Sequence, residues 1–331
     1  MRPSTLVLAL LLSEASSTKL VMTGSTNLIP ENSTIYELNT ETGDQTALLD
    51  VATPNEDLAA YSDATVCGNT YYAIFANPPM DFGIYSIDLK TNTFVARTHT
   101  SNLWHKLACD PTDSSKLVGV SSDTTGMFYI AKFDLVTNED TTIAAFPDSR
   151  GEWAGYDTQF QFDSPSQPTS LYVSFPNDAV ISSGGRAGGT LLELDLQTGE
   201  QLFTAQFPMP KPQYGQPYFM VPSTLDATNN TMAGVMWYYR TGATALRWGQ
   251  FTLPKADGGT IGYTMQQDVT TEVWSASKPQ VVCGDGYLYS FSEKGGAISV
   301  SQLDAKSGEL VKSFKLQLQQ NQDYGALACN E

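Results

Sequence analysis

Only two histidines occur among the 331 residues, His99 and His105, so any serine- or cysteine-centred catalytic pair must use one of them. His99 stands in the alternating stretch RTHT and reads as a surface residue of a strand. His105 follows Trp104 at the start of an apolar run, where it either caps a strand or acts as an acid–base group. No Gly-x-Ser-x-Gly, His-Glu-x-x-His or paired-histidine spacing accompanies them. The glycine-rich run 184–189 lies between two strand patterns with no helix start to complete a phosphate cradle, and reads as a loop. Asp63, Asp157 and Asp323 are candidate metal ligands, with His105 nearby. Asp63 and His105 each precede a cysteine by four residues and Asp323 by six. Even spacings place side chains on one side of an alternating strand, and hard oxygen donors gathered there would suit Ca²⁺. The alternative is that they are solvated acids.

The four cysteines recur in one setting, closing an apolar run just before a turn: ATVCGNT, KLACDPT, VVCGDG and ALACNE. Their spacing lacks the close pairs of a zinc site. Cys67, Cys109, Cys283 and Cys329 are expected as buried free thiols. Equivalent positions in neighbouring units should diverge beyond the ~7 Å Cα separation that a bridge tolerates. If bridges form, neighbours pair: Cys67 with Cys109 and Cys283 with Cys329. A second set of candidates is aromatic. Trp104, Trp153, Tyr156, Tyr214, Tyr218 and Trp274 fall in or beside the connections that lead into the cysteine-bearing runs, where rigid rings suit a glycan, a peptide or a partner protein. Each tryptophan has a competing role as a wedge between packed units.

The elements that must position these residues are repeated hairpins. An alternating strand, an Asp or Asn, and a turn residue four positions later recur at Asn39 to Gly43, Asp88 to Asn92, Asp134 to Asn138, Asp195 to Gly199 and Asp304 to Gly308. The final Gly or Asn of each supplies the positive φ of the turn. A degenerate copy spans 246–264 with its turn at Gly258. The cysteine-ending strand and the strand after it complete a unit of four antiparallel strands. The last such strand, YGALACNE, has nothing after it, while the chain's first strands lack one before them. The C-terminus therefore supplies the first unit's missing strand and removes two open edges. Units fall at 63–100, 105–147, 157–208, 217–270 and 278–317, with a composite sixth from both ends. These motifs, the φ-x-φ-Asp-x-x-Thr-Gly hairpin above all, resemble the six-bladed β-propeller superfamily. That resemblance implies an all-β ring of four-stranded blades. Within the superfamily, the gluconolactonase and senescence-marker-protein group implies a Ca²⁺-dependent lactonase or esterase with ligands from separate blades at the channel mouth.

Eighteen Lys and Arg against 35 Asp and Glu give a net charge of -17, which repels phosphate backbones and anionic membranes and excludes nucleic acid as a partner. Residues 1–17, MRPSTLVLALLLSEASS, have the charged, apolar, small-residue order of a secretory signal, leaving 18–331 as a single domain from Thr18. Sequons at Asn32 and Asn229 fit a secreted or lumenal glycoprotein. The function expected is that of a secreted, monomeric recognition module using an aromatic and carboxylate rim, the alternative being the Ca²⁺-dependent hydrolase.

Overall fold

The computed structural model describes residues 18–26, 32–52, 63–77, 81–123, 125, 127–147, 159–162, 169–176, 189–207, 216–226, 231–240, 243–270, 280–294, 297–317 and 322–330. Residues 1–17, Asn229, Trp153, Tyr156, Asp157, Tyr214, Trp274 and most of the glycine-rich run lie outside them. Among the described residues no helix is long and apolar enough to cross a membrane.

The chain is all-β, built of antiparallel four-stranded sheets in a propeller arrangement. The first sheet holds β1 (Lys19–Thr26), β2 (Asn32–Asn39) and β3 (Gln45–Ala52), with β25 (Gln322–Asn330) paired antiparallel to β1. Next come β4 (Ala64–Cys67), β5 (Thr70–Asn77), β6 (Asp81–Asp88) and β7 (Thr93–His99). A third sheet runs β8 (Leu103–Cys109), β9 (Lys116–Ser122), β10 (Met127–Asp134) and β11 (Glu139–Pro147). The fourth contains β12 (Gln159–Phe162), β13 (Ser170–Pro176), β14 (Gly189–Asp195) and β15 (Gln201–Phe207). It carries a fifth strand, β19 (Gly259–Thr260), parallel to β15. The remaining sheets are β16 (Gln216–Asp226), β17 (Thr231–Arg240), β18 (Ala243–Thr252) and β20 (Gly262–Thr270), then β21 (Gln280–Val282), β22 (Tyr287–Lys294), β23 (Ala297–Asp304) and β24 (Leu310–Lys315).

The hairpin repeat has one physical cause in all five copies. The side-chain Oδ1 of Asn39, Asp88, Asp134, Asp195 and Asp304 accepts the backbone N–H groups two and three residues on. The side chain thus mimics a backbone turn, and the residue that ends it takes a positive φ: +79° at Gly43, +52° at Asn92, +59° at Asn138, +71° at Gly199 and +71° at Gly308. Gly258 does the same at +73° in the degenerate copy. The carboxylates of Asp88, Asp134, Asp195 and Asp304 are held below their ordinary pKa chiefly by these backbone donors.

Cores form between sheets rather than within them. Val21, Ile35 and Val51 of the first sheet share a buried cluster with Tyr71, Phe75 and Tyr85 of the second. Ile74 and Ile84 of the second pack with Trp104, Leu117 and Phe133 of the third. Val120, Phe128 and Ile130 meet Leu171, Val173 and Leu192, and Leu191 and Ala205 meet Met232 and Phe251. Tyr289, Phe291 and Val300 of the last sheet return to Leu20, Met22 and Tyr324 of the first. Because second and third strands are covered on both faces, alternation in burial is weak there: β6 reads as five consecutive buried residues. Turns also reach across. Gly308 lies over the fully buried Trp248, so close that a Cβ would sit 2.2 Å from the indole.

Candidate functional site

The four thiols are not free: Cys67 bridges to Cys109 with Cα atoms 5.6 Å apart, and Cys283 to Cys329 at 5.7 Å. The expected divergence fails because wedge-shaped sheets approach most closely at their innermost strands, and these strands end level with one another. β4 is thereby tied to β8, and β21 to β25. The seam between β25 and β4 is closed by hydrogen bonds instead. The Tyr71 hydroxyl donates to the carbonyl of Ala326, and Thr23 Oγ1 contacts the same hydroxyl at 2.9 Å. Ala326, at φ +48°, lies where β25 bulges against β1.

Asp63 immediately precedes β4 and is 8% exposed. Its Oδ2 accepts the backbone N–H of Leu107 at 2.9 Å, and Lys106 Nζ stands 3.9 Å from Oδ1. Burial pushes the Asp63 carboxyl above the ordinary range, while Lys106 and the backbone donors pull it down. This carboxylate joins the start of β4 to β8 two residues before Cys109.

His105 does not lie on the side counted from the cysteine. β8 bulges between Trp104 and Lys106, which shifts the alternation and gives four consecutive buried residues, Trp104 to Leu107. His105 is 1% exposed, with Nε2 2.8 Å from Ser122 Oγ, and its ring meets Phe128 edge-on. Burial, reinforced by the Lys106 charge, pushes its pKa down to about 3, so the imidazole is neutral at neutral pH. Asp63 and His105 therefore serve different partners. Asp323 is in β25, Tyr218 is in β16, and their side chains are outside the description. Among the described residues no three His, Cys, Asp or Glu side chains gather as metal ligands would.

Trp104 is not a surface platform. It is 1% exposed and wedges between the second and third sheets, edge-on to Phe133, which is the competing role its type allows. Sequence reasoning also set His99 aside too quickly. Asp81, Arg97 and His99 form one cluster on β6 and β7: Asp81 Oδ2 accepts from Arg97 Nη2 at 2.8 Å, and Asp81 Oδ1 is 2.7 Å from His99 Nδ1. The signal was the alternation itself, since Arg97 and His99 share a face and Gly83 pairs with His99.

The strand ends that bound the long connections share one end of the sheets. The outermost strands that end at residues 52, 147, 207 and 270, the innermost strands that follow them, and the second and third strands bounding 177–188 all place those ends at the same end of their sheets. The opposite side is closed largely by the tight Asp and Asn turns.

In three-dimensional comparison the chain is similar to TolB from Acinetobacter baumannii, at 13% identity and a TM-score of 0.58 over 94% of this chain and 66% of that one. A putative 6-phosphogluconolactonase from Bacteroides fragilis NCTC 9343 aligns over the whole of both chains at 12% identity and a TM-score of 0.53. Another from Bacteroides uniformis ATCC 8492 aligns over 95% and 99% at 12% identity and 0.51. No family model matches, and no curated protein matches. What the chain shares with these structures is the β-propeller fold.

Proposed function

We propose that this protein is a secreted recognition propeller of six blades, counting the five-stranded sheet as one and with β25 closing the ring, which binds a glycan, a peptide or a partner protein. The observation that carries this reading is that the strand ends bounding the long connections share one end of the sheets. A rigid scaffold that lavishes sequence on one face and closes the other with tight turns is built to present loops. Those connections hold Tyr61, Trp153, Tyr156, Tyr214 and Trp274, ring types that give large contact area at low entropic cost. The extracytoplasmic address is supported by the signal-like order of residues 1–17 and by two disulfides, which persist in oxidising compartments.

The test is a glycan array and a secreted-protein panel probed with the mature protein and with Trp153→Ala and Trp274→Ala. Loss of about 2 kcal/mol or more of binding with an unchanged melt is expected at a true anchor. Absence of any ligand for the parent protein, with both variants destabilised, would sink the reading.

A second reading, hydrolysis of a lactone or ester at the channel mouth, draws support from the putative 6-phosphogluconolactonases of the same fold and from the His105–Ser122 contact. Turnover of a simple sugar lactone, with and without added Ca²⁺, separates it from pure recognition.

A further inference from the structure

The sequon Asn32-Ser33-Thr34 opens β2, where the ladder pairs Asn32 with the exposed Ala52, Ser33 with Val51 and Thr34 with the exposed Asp50. Ser33 is fully buried, and Thr34 Oγ1 donates to Asp50 Oδ1 at 2.6 Å. The hydroxyl that makes the triplet an acceptor, and the backbone around it, are thus engaged once the first sheet has formed. A transferase can reach them only before β2 has paired. The partners that hold β2 in place come late in the chain. Its sheet is completed by β25, which pairs with β1. Ile35 shares a buried cluster with Ala326 and Ala328, while Tyr36 and Leu38 share another with Tyr289, Phe291, Val300 and Tyr324. About 290 residues lie between Asn32 and Tyr324, which take roughly 15–60 s to synthesise at about 5–20 residues per second. Through that interval β1 has an open edge and β2 lacks the neighbour on one face, and a hairpin of β2 and β3 by itself is only marginally stable.

We propose that Asn32 is an N-glycosylation site, modified during synthesis in the interval that the late arrival of β25 leaves open. The co-substrate is an oligosaccharide carried on a polyprenyl diphosphate. The side-chain amide nitrogen of Asn32 attacks the anomeric carbon of the first sugar, a C–N bond forms, the C–O bond to the diphosphate breaks, the amide gives up one proton and polyprenyl diphosphate leaves. The folded protein is not a substrate, so occupancy is set by the delay before the first sheet is completed. The glycan is carried where β2 begins and β3 ends, at the same end of the sheets as the strand ends that bound the long connections. There a bulky, hydrated group screens the outer part of that end. The proposal rests on the secreted address proposed for the protein, and its test separates the two.

The full chain is translated with transferase-bearing microsomes, once with its own residues 1–17 and once with a foreign secretory signal in their place. Protection from added protease marks the translocated chains. These should carry a glycan at Asn32, read by mass spectrometry as conversion of that residue to Asp when peptide N-glycosidase acts in ¹⁸O-labelled water. Asn32→Gln and Thr34→Val should each lose it, and Thr34→Ser should keep it. If only the foreign signal delivers the chain and Asn32 is then modified, the address fails and the site stands. Translocated chains left unmodified at Asn32 would overturn the site. In a second arm, solubilised transferase and the polyprenyl-diphosphate donor should glycosylate Asn32 in the unfolded, reduced and alkylated full chain and leave the native, unglycosylated protein untouched. Equal modification of the native protein would overturn the dependence on folding.

Discussion

A single methyl group distinguishes two glycines that look alike in sequence. Gly258 and Gly308 both close hairpin turns at positive φ, but a Cβ at Gly258 meets nothing within 4 Å, whereas one at Gly308 meets the Trp248 indole at 2.2 Å. Gly258→Ala should cost only the left-handed backbone term, about 1–2 kcal/mol. Gly308→Ala pays the same term and must also displace a fully buried tryptophan, so its loss of stability should be at least twice as large in denaturant titration. Equal losses would mean that the turn does not bear on the neighbouring sheet. At the same scale, His105 makes a prediction in pH. Its folded pKa of about 3 lies below the ~6.5 of an unfolded histidine. Its contribution to stability is therefore complete above pH ~6.5 and is lost as pH falls from there towards 3. Asp63, raised by burial, runs the opposite way, favouring the fold at the acid end and losing that contribution as pH rises past ~3.9. Between pH 7 and 4.5 the two oppose one another, and the histidine's part makes the melting temperature fall as pH falls. His105→Gln should flatten that fall, and an unchanged slope in the variant would remove His105 from the account.

Elements were legible in the sequence where their causes are local. The turns could be read because an Asp or Asn and a Gly or Asn four residues later are all that the geometry requires. The bulge in β8 was not legible, since no Gly or turn residue marks it locally, and it moved His105 off the side that counting assigned. The disulfides were missed for a related reason. Nothing in the spacing of Cys67 and Cys109 reports that β4 and β8 converge. The Asp81–Arg97–His99 cluster was hidden because its two halves come from different strands and meet only through pairing. β25 offers a test at this scale, being held both by its ladder with β1 and by the Cys283–Cys329 bridge. Replacing Cys283 and Cys329 together by Ser should lower stability by about 2–4 kcal/mol yet leave one cooperative melt. Deleting everything after Asp323 removes the ladder as well and exposes the edge of β1, so cooperativity itself should be lost. A truncated protein that melts like the full chain would show that the first sheet does not depend on its C-terminal strand.

Across the whole molecule the reinforcement is uneven. Covalent bridges cross the seams between the last and first sheets and between the second and third, and the buried Tyr71 hydroxyl spans the seam between them. Four consecutive sheets are thus laced together at their inner edges, whereas the corresponding positions on β12 and β16 are Phe162 and the neighbourhood of Val221, which offer no bridge. This pattern determines what a backbone nick does. A cut between residues 68 and 108, or between 284 and 328, falls inside a covalent loop, and both pieces remain one molecule until they are reduced. A cut between 110 and 282 falls outside both loops and leaves two chains with no covalent link, held by the β1–β25 ladder and by packing. A protease would therefore find residues 68–108 and 284–328 covalently guarded against loss of a fragment, and residues 18–66 and 110–282 guarded only by non-covalent contacts.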